Sequence, residues 1–193
     1  MAGHTDILRK IVSSFGDINE EAFLAFAAPW SEIRIARKQI ITRQGDTEKY
    51  LYLVLDGVQR ACRTHNDKEV TLVFSYNGSF SGVIDSFFLQ QPSAFDLETL
   101  TASHFLRIHY NDMIQLMAQH RSIETWVRLA LTRVLADTLQ RHIEILSFSA
   151  EEKFTALLRR SPHVLNLVPH KYLASYIGVD PTNFSKMLGR VRL

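Results

Sequence analysis

The spacing of apolar residues along the chain changes character twice. Between residues 4 and 28 it is helical. Ile7, Leu8, Ile11, Val12 and Phe15 recur at intervals of three and four, and Phe23, Leu24, Phe26 and Ala27 follow Asn19, a residue suited to an N-cap. From Ile33 to Ile108 the period shortens. Runs favouring β structure occupy 33–35, 39–42, 50–55, 58–64, 70–76, 97–101 and 104–109. Between them lie the turn signals Gln44-Gly45-Asp46, Asp56-Gly57, Asn66-Asp67 and Asn77-Gly78. Asp56-Gly57 and Asn77-Gly78 favour positive φ and are expected to close hairpins. Short strands separated by tight turns predict a barrel or sandwich.

From Asn111 the pattern is helical again, and residues 111–147 contain neither Pro nor Gly. Ile123, Trp126, Val127, Ala130, Leu131, Val134, Leu135, Thr138, Leu139, His142, Ile143 and Leu146 form a band too wide for a helix with one partner. One side can face the chain's own barrel and the other a second copy of the helix. A helix of roughly 50 Å at 1.5 Å per residue overhangs one small barrel, which favours a dimer seam over a single capping helix. Ser149–Ser161 reads as a further helix, with Ser149 as cap, Glu151 and Glu152 in the first turn, Arg159 and Arg160 in the last, and Pro162 ending it.

Residues 170–189, HKYLASYIGVDPTNFSKMLG, predict two short helices meeting at a corner. Leu173, Ala174 and Ile177 make one inner face, and Phe184, Met187 and Leu188 the other. Ala174 is small where the helices must approach, and Gly178 suits the left-handed turn. Asp180 can cap the second helix, with Pro181 at its first position. This is the helix-turn-helix arrangement.

Charge sharpens that reading. The chain of 193 residues has a net charge of +2. Residues 1–149 carry 15 Lys and Arg against 17 Asp and Glu, whereas 150–193 carry 7 against Glu151, Glu152 and Asp180, a net of +4. A basic C-terminal stretch is an electrostatic footprint for a polyanion. The second helix would present Thr182, Asn183, Ser185, Lys186 and Arg190 outward. At its N-terminal end Asn183 can pair with adenine and the Thr182 methyl can touch thymine; Lys186 can reach guanine or a phosphate. His170, Lys171, Arg190 and Arg192 suit phosphates.

Hydrophobic residues at 46% and charged residues at 22% suit a packed core. The single Cys62 excludes an internal disulfide and a four-cysteine zinc or iron–sulfur site. On its expected strand it reads as core rather than redox sensor. No apolar run approaches the roughly 20 residues of a membrane helix, and the N-terminus lacks a secretory pattern. A cytoplasmic protein with no cofactor and no membrane association is expected. His104 and His109 fall on opposite faces of an ideal strand, so no metal cluster is read there. Nucleophile-elbow and glycine-rich contexts are missing as well, and no catalysis is expected.

The order of short helices, β-roll, long helix, connecting helix and helix-turn-helix resembles the Crp/Fnr family of bacterial transcription regulators, of the short type without a wing after the recognition helix. The carriers are Gln44-Gly45-Asp46 followed by Leu51–Gly57, Asn77–Gly82, Ser149–Pro162 and the final motif. The resemblance implies an α+β fold: a jelly-roll-like sensor barrel over 1–110 with flanking helices, a dimerisation helix over 111–147 and an all-α DNA-binding unit over 148–193. It also implies a homodimer on a palindromic operator in double-stranded DNA, an effector in the roll, and RNA polymerase as partner if the output is activation. Cyclic-nucleotide-binding members carry a Gly-Glu pair and, eleven residues after the Gly, an Arg-Ser or Arg-Thr pair. Here those positions hold Gly82-Val83 and Ser93-Ala94. Val83 cannot accept the ribose hydroxyl and Ser93 cannot neutralise a phosphate, whose burial without a cation costs several kcal/mol. Nearby Asp85 would repel a phosphate further. The expected pocket, Gly82, Val83, Ile84, Ser93, Ala94 and Thr138, is therefore not expected to take cyclic AMP. The effector remains an unknown small molecule, with haem left open. An alternative reading is a ligand-binding β-roll module whose C-terminal helices dock a protein partner.

Overall fold

The computed structural model of the chain describes residues 2–14, 16 and 18–190; Phe15 and Arg192, both considered above, lie outside them. Two helices, α1 (Ala2–Val12) and α2 (Glu20–Ala27), precede the sheets. The Asn19 side chain caps α2, its Oδ1 accepting the Ala22 N–H at 2.8 Å. Eight strands follow, β1 (Ser31–Ile35), β2 (Ile40–Thr42), β3 (Tyr50–Asp56), β4 (Val58–His65), β5 (Lys68–Tyr76), β6 (Phe80–Ser81), β7 (Asp96–Thr99) and β8 (Ser103–His109). They form two antiparallel four-stranded sheets, β1-β8-β3-β6 and β2-β7-β4-β5, a β-roll.

Alternation along β3 and β8 sorts the side chains. Leu51, Leu53, Leu106 and Ile108 pack under the helices with Phe23, Phe26, Met113, Ile123 and Trp126. Tyr52, Val54 and Phe105 face the other way, beside Ile33, Ile35 and Ile41. Ile41 also joins Ala61, Val83 and Leu97, so this second apolar region spans both sheets.

Turn chemistry behaves differently from expectation at two glycines. Asp56-Gly57 and Asn77-Gly78 do not close hairpins, because β3 pairs with β6 and β8, whereas β4 pairs with β5 and β7. Both glycines have positive φ, +93° and +83°, but each passes the chain from one sheet to the other. At Gly57 a Cβ would stand 2.6 Å from the Ala102 carbonyl oxygen, so a close crossing requires the glycine. The hairpin is β4–β5, closed by Asn66 and Asp67 with φ of 49° and 59°. Two positive φ values in a two-residue loop match the twist of the flanking strands.

The stretch 111–147 is two helices, α4 (Tyr110–Gln119) and α5 (Arg121–Ser147), broken at His120, which is extended (φ −126°, ψ 103°). Neither Pro nor Gly makes the break. It lets Met113 and Leu116 on one side, and Ile123, Trp126 and Val127 on the other, enter the same core. Helix α5 is therefore about 40 Å long. A six-residue helix, α3 (Ile84–Leu89), follows β6. It has no side-chain N-cap and ends on Gln90 at φ 52°, and so carries little local signal.

The C-terminal helices are α6 (Ala150–Arg160), α7 (Val164–Leu167), α8 (His170–Ile177) and α9 (Pro181–Arg190). Helix α6 begins with a full capping box between Ser149 and Glu152. Phe154, Leu157, Val164, Leu173, Ala174, Ile177, Phe184 and Met187 form one core, which also takes in Val58 and Leu100 of the roll.

Candidate nucleic-acid interface and the roll cassette

The corner between α8 and α9 follows from four residues. Gly178 closes α8 at φ 68° and donates its N–H to the Ser175 carbonyl at 3.1 Å, while the Val179 N–H reaches the Ala174 carbonyl at 3.0 Å. Nothing lies within 4 Å of a Cβ added at Gly178, so the backbone angle alone demands glycine there. Asp180 caps α9 by accepting the Thr182 N–H at 2.7 Å. That bond, with the neighbouring Lys186 charge as a smaller cause, holds the Asp180 carboxyl below its ordinary value. Buried Ala174 permits the close approach, and Phe184 stacks edge-on against Phe154 of α6 at 5.2 Å between ring centres.

With Phe184 and Met187 turned inward, Thr182, Asn183, Ser185, Lys186 and Arg190 are all exposed on the opposite side of α9. Ser185 spends its hydroxyl on the Pro181 carbonyl at 3.0 Å. Arg190 reaches Glu151 of α6 at 3.2 Å, an exposed pair worth little. At the start of α8, His170 is exposed with its ring 5.8 Å from Phe184, and the exposed Lys171 ammonium lies 4.6 Å from the Tyr172 ring centre.

Helix α8 is also docked on the roll, against edge strand β5, an arrangement with no signal in the sequence. Ser175 Oγ accepts the Thr71 N–H at 2.9 Å and donates to the Glu69 carbonyl at 3.3 Å. Arg141 of α5 donates to the carbonyls of both Leu72 and Tyr176, and its guanidinium covers the Tyr176 ring. Arg60 of β4, 2% exposed, pairs with Glu69 and Glu98 and lies 3.7 Å from the centre of the Tyr172 ring. Strand β5 and helix α8 thus share hydrogen bonds, not only apolar contact. The docking leaves the outward side of α9 open.

The residues expected to line an effector pocket do not converge. Val83 is fully buried, its side chain among Ala61 and Leu97. Buried Ser93 donates its hydroxyl to the Phe95 carbonyl at 2.6 Å. Ala94 is exposed, Ile84 is half-buried against the helices, and Thr138 is exposed on α5 with its hydroxyl donated to the Val134 carbonyl at 2.7 Å. Gly82, at φ 125°, sits against Tyr50 and Glu48. Sequence reasoning missed Glu48, which occupies the centre of this region at 3% exposure. Its carboxylate accepts from Thr42 Oγ1 at 2.6 Å and from the N–H groups of Lys49, Tyr50 and Val83 at 3.0, 3.1 and 3.3 Å. Burial raises its pKa, and these four donors pull it back only in part. The carboxyl group beside the cassette is the protein's own.

The other titratable candidates resolve simply. His104 pairs with Glu32 at 2.8 Å, and His109 Nδ1 caps α4 by accepting the Asn111 N–H at 3.1 Å. Cys62 is buried, and burial pushes its thiol up to about 11. No described helix is long and apolar enough to cross a membrane.

The roll can now be placed among known proteins. Residues 32–120 match the cyclic nucleotide-binding domain family. Comparison with curated protein sequences finds no match. Among solved structures, FixK2 from Bradyrhizobium japonicum superposes with a TM-score of 0.72 at 13% identity, covering 83% of each chain. CLP, a c-di-GMP responsive global regulator of Xanthomonas campestris, gives 0.65 at 19% identity over 89% of this chain and 91% of its own. The Thermus thermophilus catabolite activator protein gives 0.58 at 22% identity over 93% and 89%. At these identities the likeness is one of fold. Within that match, the positions where the resemblance places a carboxylate and a cation hold Val83 and Ser93, and the buried carboxyl of Glu48 lies beside them.

Proposed function

We propose that this chain is a dimeric, cytoplasmic transcription regulator of the Crp/Fnr type, non-enzymatic, which binds a two-fold symmetric operator in double-stranded DNA through α9. The observation that carries this reading is the division of α9: Phe184 and Met187 anchor it, while Thr182 and Asn183 stand exposed in its first turn and Lys186 one turn on, within the basic C-terminal stretch 150–193. Exposed polar groups at the N-terminal end of a second helix suit base edges in the major groove.

Dimerisation is supported by α5. Leu135, Leu139, Ile143 and Leu146 are exposed by 53–72%, a stripe of apolar side chains with no cover within the protomer. Thr138 lies on the same helix, in reach of such a seam. Effector-dependent sliding of the paired helices would change the spacing of the two recognition helices. The docking of α8 on β5 offers a second route from roll to reader. RNA polymerase is a further partner if the output is activation. Cyclic AMP is not the effector in this reading, since Val83 is packed in the core and the Ser93 hydroxyl is already engaged. Calorimetry showing micromolar cyclic AMP binding refutes that part.

Selection of bound sequences from random duplex DNA tests the main claim. The expected product is an inverted repeat whose half-sites lie about 34 Å apart, one helical turn. Recovery of no common sequence, with binding indifferent to salt, would instead favour a roll that docks a protein partner.

A further inference from the structure

The roll holds a cleft of about 740 Å³ between β1, β2, β3 and β8, bordered by Gly45, Asp46 and Glu48, which are hydrogen-bonded in turn to the cassette residues Ser93 and Val83. That volume lies within the range of small-molecule sites. Part of its wall is apolar and aromatic, with Ile33 and Ile35 from β1, Ile41 from β2, and Tyr50 and Tyr52 from β3, and the rest is polar, including Thr42, Asp46, Thr47 and Glu48. Into it projects Arg107 of β8.

Arg107 is half-buried, with its guanidinium stacked on the Tyr50 ring 4.3 Å from the centre. Its Nε is buried and has no hydrogen-bond partner. No carboxylate lies within ion-pair distance of it among the described residues. Native proteins rarely leave a buried charged donor unmet. A guanidinium stacked by its face keeps its edge for a planar anion, and Nε with a neighbouring Nη is the fork that carboxylates accept. The acids of the same cleft cannot fill that role. Glu48 is held by four donors of its own, and Asp46 is exposed. Both acids would still oppose a second negative charge.

We propose that this cleft is a binding site for a small monoanionic carboxylate with an aromatic or aliphatic body, its head on the Arg107 guanidinium and its body against Tyr50, Tyr52 and the β1 isoleucines. A phosphate dianion is disfavoured by Asp46 and Glu48. The claim concerns binding by the roll and does not rest on DNA recognition, so a failed operator selection leaves it standing.

Calorimetry on the DNA-free protein tests it with phenylacetate and decanoate as probes and phenylacetamide as the neutral counterpart. At least one carboxylate should bind, and phenylacetamide should bind about 10- to 100-fold more weakly than phenylacetate, the factor a charge-assisted hydrogen bond supplies. Arg107→Gln should weaken the carboxylate by a similar factor, whereas Lys49→Gln, at the exposed rim, should change it less than about threefold. The acid–amide comparison uses the unaltered protein and stands even if Arg107→Gln fails to fold. No binding by either carboxylate at millimolar concentration, equal binding of acid and amide, or unchanged affinity in a folded Arg107→Gln overturns the proposal.

Discussion

Replacing Leu135 and Leu139 together by Asn should separate the dimer without unfolding the protomer. The two residues are 58% and 56% exposed and lie one turn apart on α5. Full burial of a leucine is worth about 1.5–3 kcal/mol. With a little over half of each side chain still open, roughly 1.4 kcal/mol per leucine is available to a partner. A two-fold interface uses every residue twice, so the pair of substitutions removes about 5–6 kcal/mol, or roughly 10⁴ in dissociation constant. Because the same atoms face solvent within the protomer, its own stability should move by no more than about 0.5 kcal/mol per site. Sedimentation velocity across a concentration series measures the first effect and urea unfolding the second. A double variant that dimerises within about threefold of the wild type would refute the reasoning, as would a wild type that sediments as a protomer at every concentration.

Ser149→Ala removes the α6 capping box and should cost about 1 kcal/mol, roughly 3 °C in melting temperature by calorimetry; no change would mean that α6 is fixed by packing alone. Gly178→Ala forces a Cβ onto a backbone at φ 68° and should cost about 1–2 kcal/mol in urea unfolding, with Asn less costly at the same site. Burial holds the Glu48 carboxyl above its ordinary pKa in the folded protein. Its proton is therefore bound more tightly in the folded than in the unfolded chain, and the stability this gives is complete below the ordinary carboxylate range and lost as pH rises through the raised value. Wild type should lose stability relative to Glu48→Gln as pH rises above the ordinary carboxylate range, and parallel pH profiles would contradict the assignment.

Local chemistry made much of this fold legible. Asn19, Ser149 and Asp180 each cap a helix through a bond to a residue two or three positions on, a signal held within a few letters of sequence. The apolar band of α5 was readable for the same reason, because its period belongs to one helix. What escaped depends on residues far apart in the chain. The break at His120 is set by where Leu116 and Ile123 must both be buried, and no breaker residue marks it. The route of the chain at Gly57 depends on Ala102, forty-five positions later. Docking of α8 joins Ser175 to Thr71, 104 residues apart. Glu48 and Arg107 carry no local signal that separates them from ordinary surface charges. The parity of Arg107 with Phe105 on β8 was the one available sign that it turns inward, and it has force only once the roll is known to hold a cleft there.

Fluorescence anisotropy on a selected operator, with the salt concentration varied, tests the central claim most directly. The account predicts that affinity falls steeply with salt, as binding to several phosphates requires, and that Lys186→Ala costs about 1–3 kcal/mol at moderate salt. Affinity independent of salt, or a folded Lys186→Ala protein that binds every sequence as the wild type does, would contradict it.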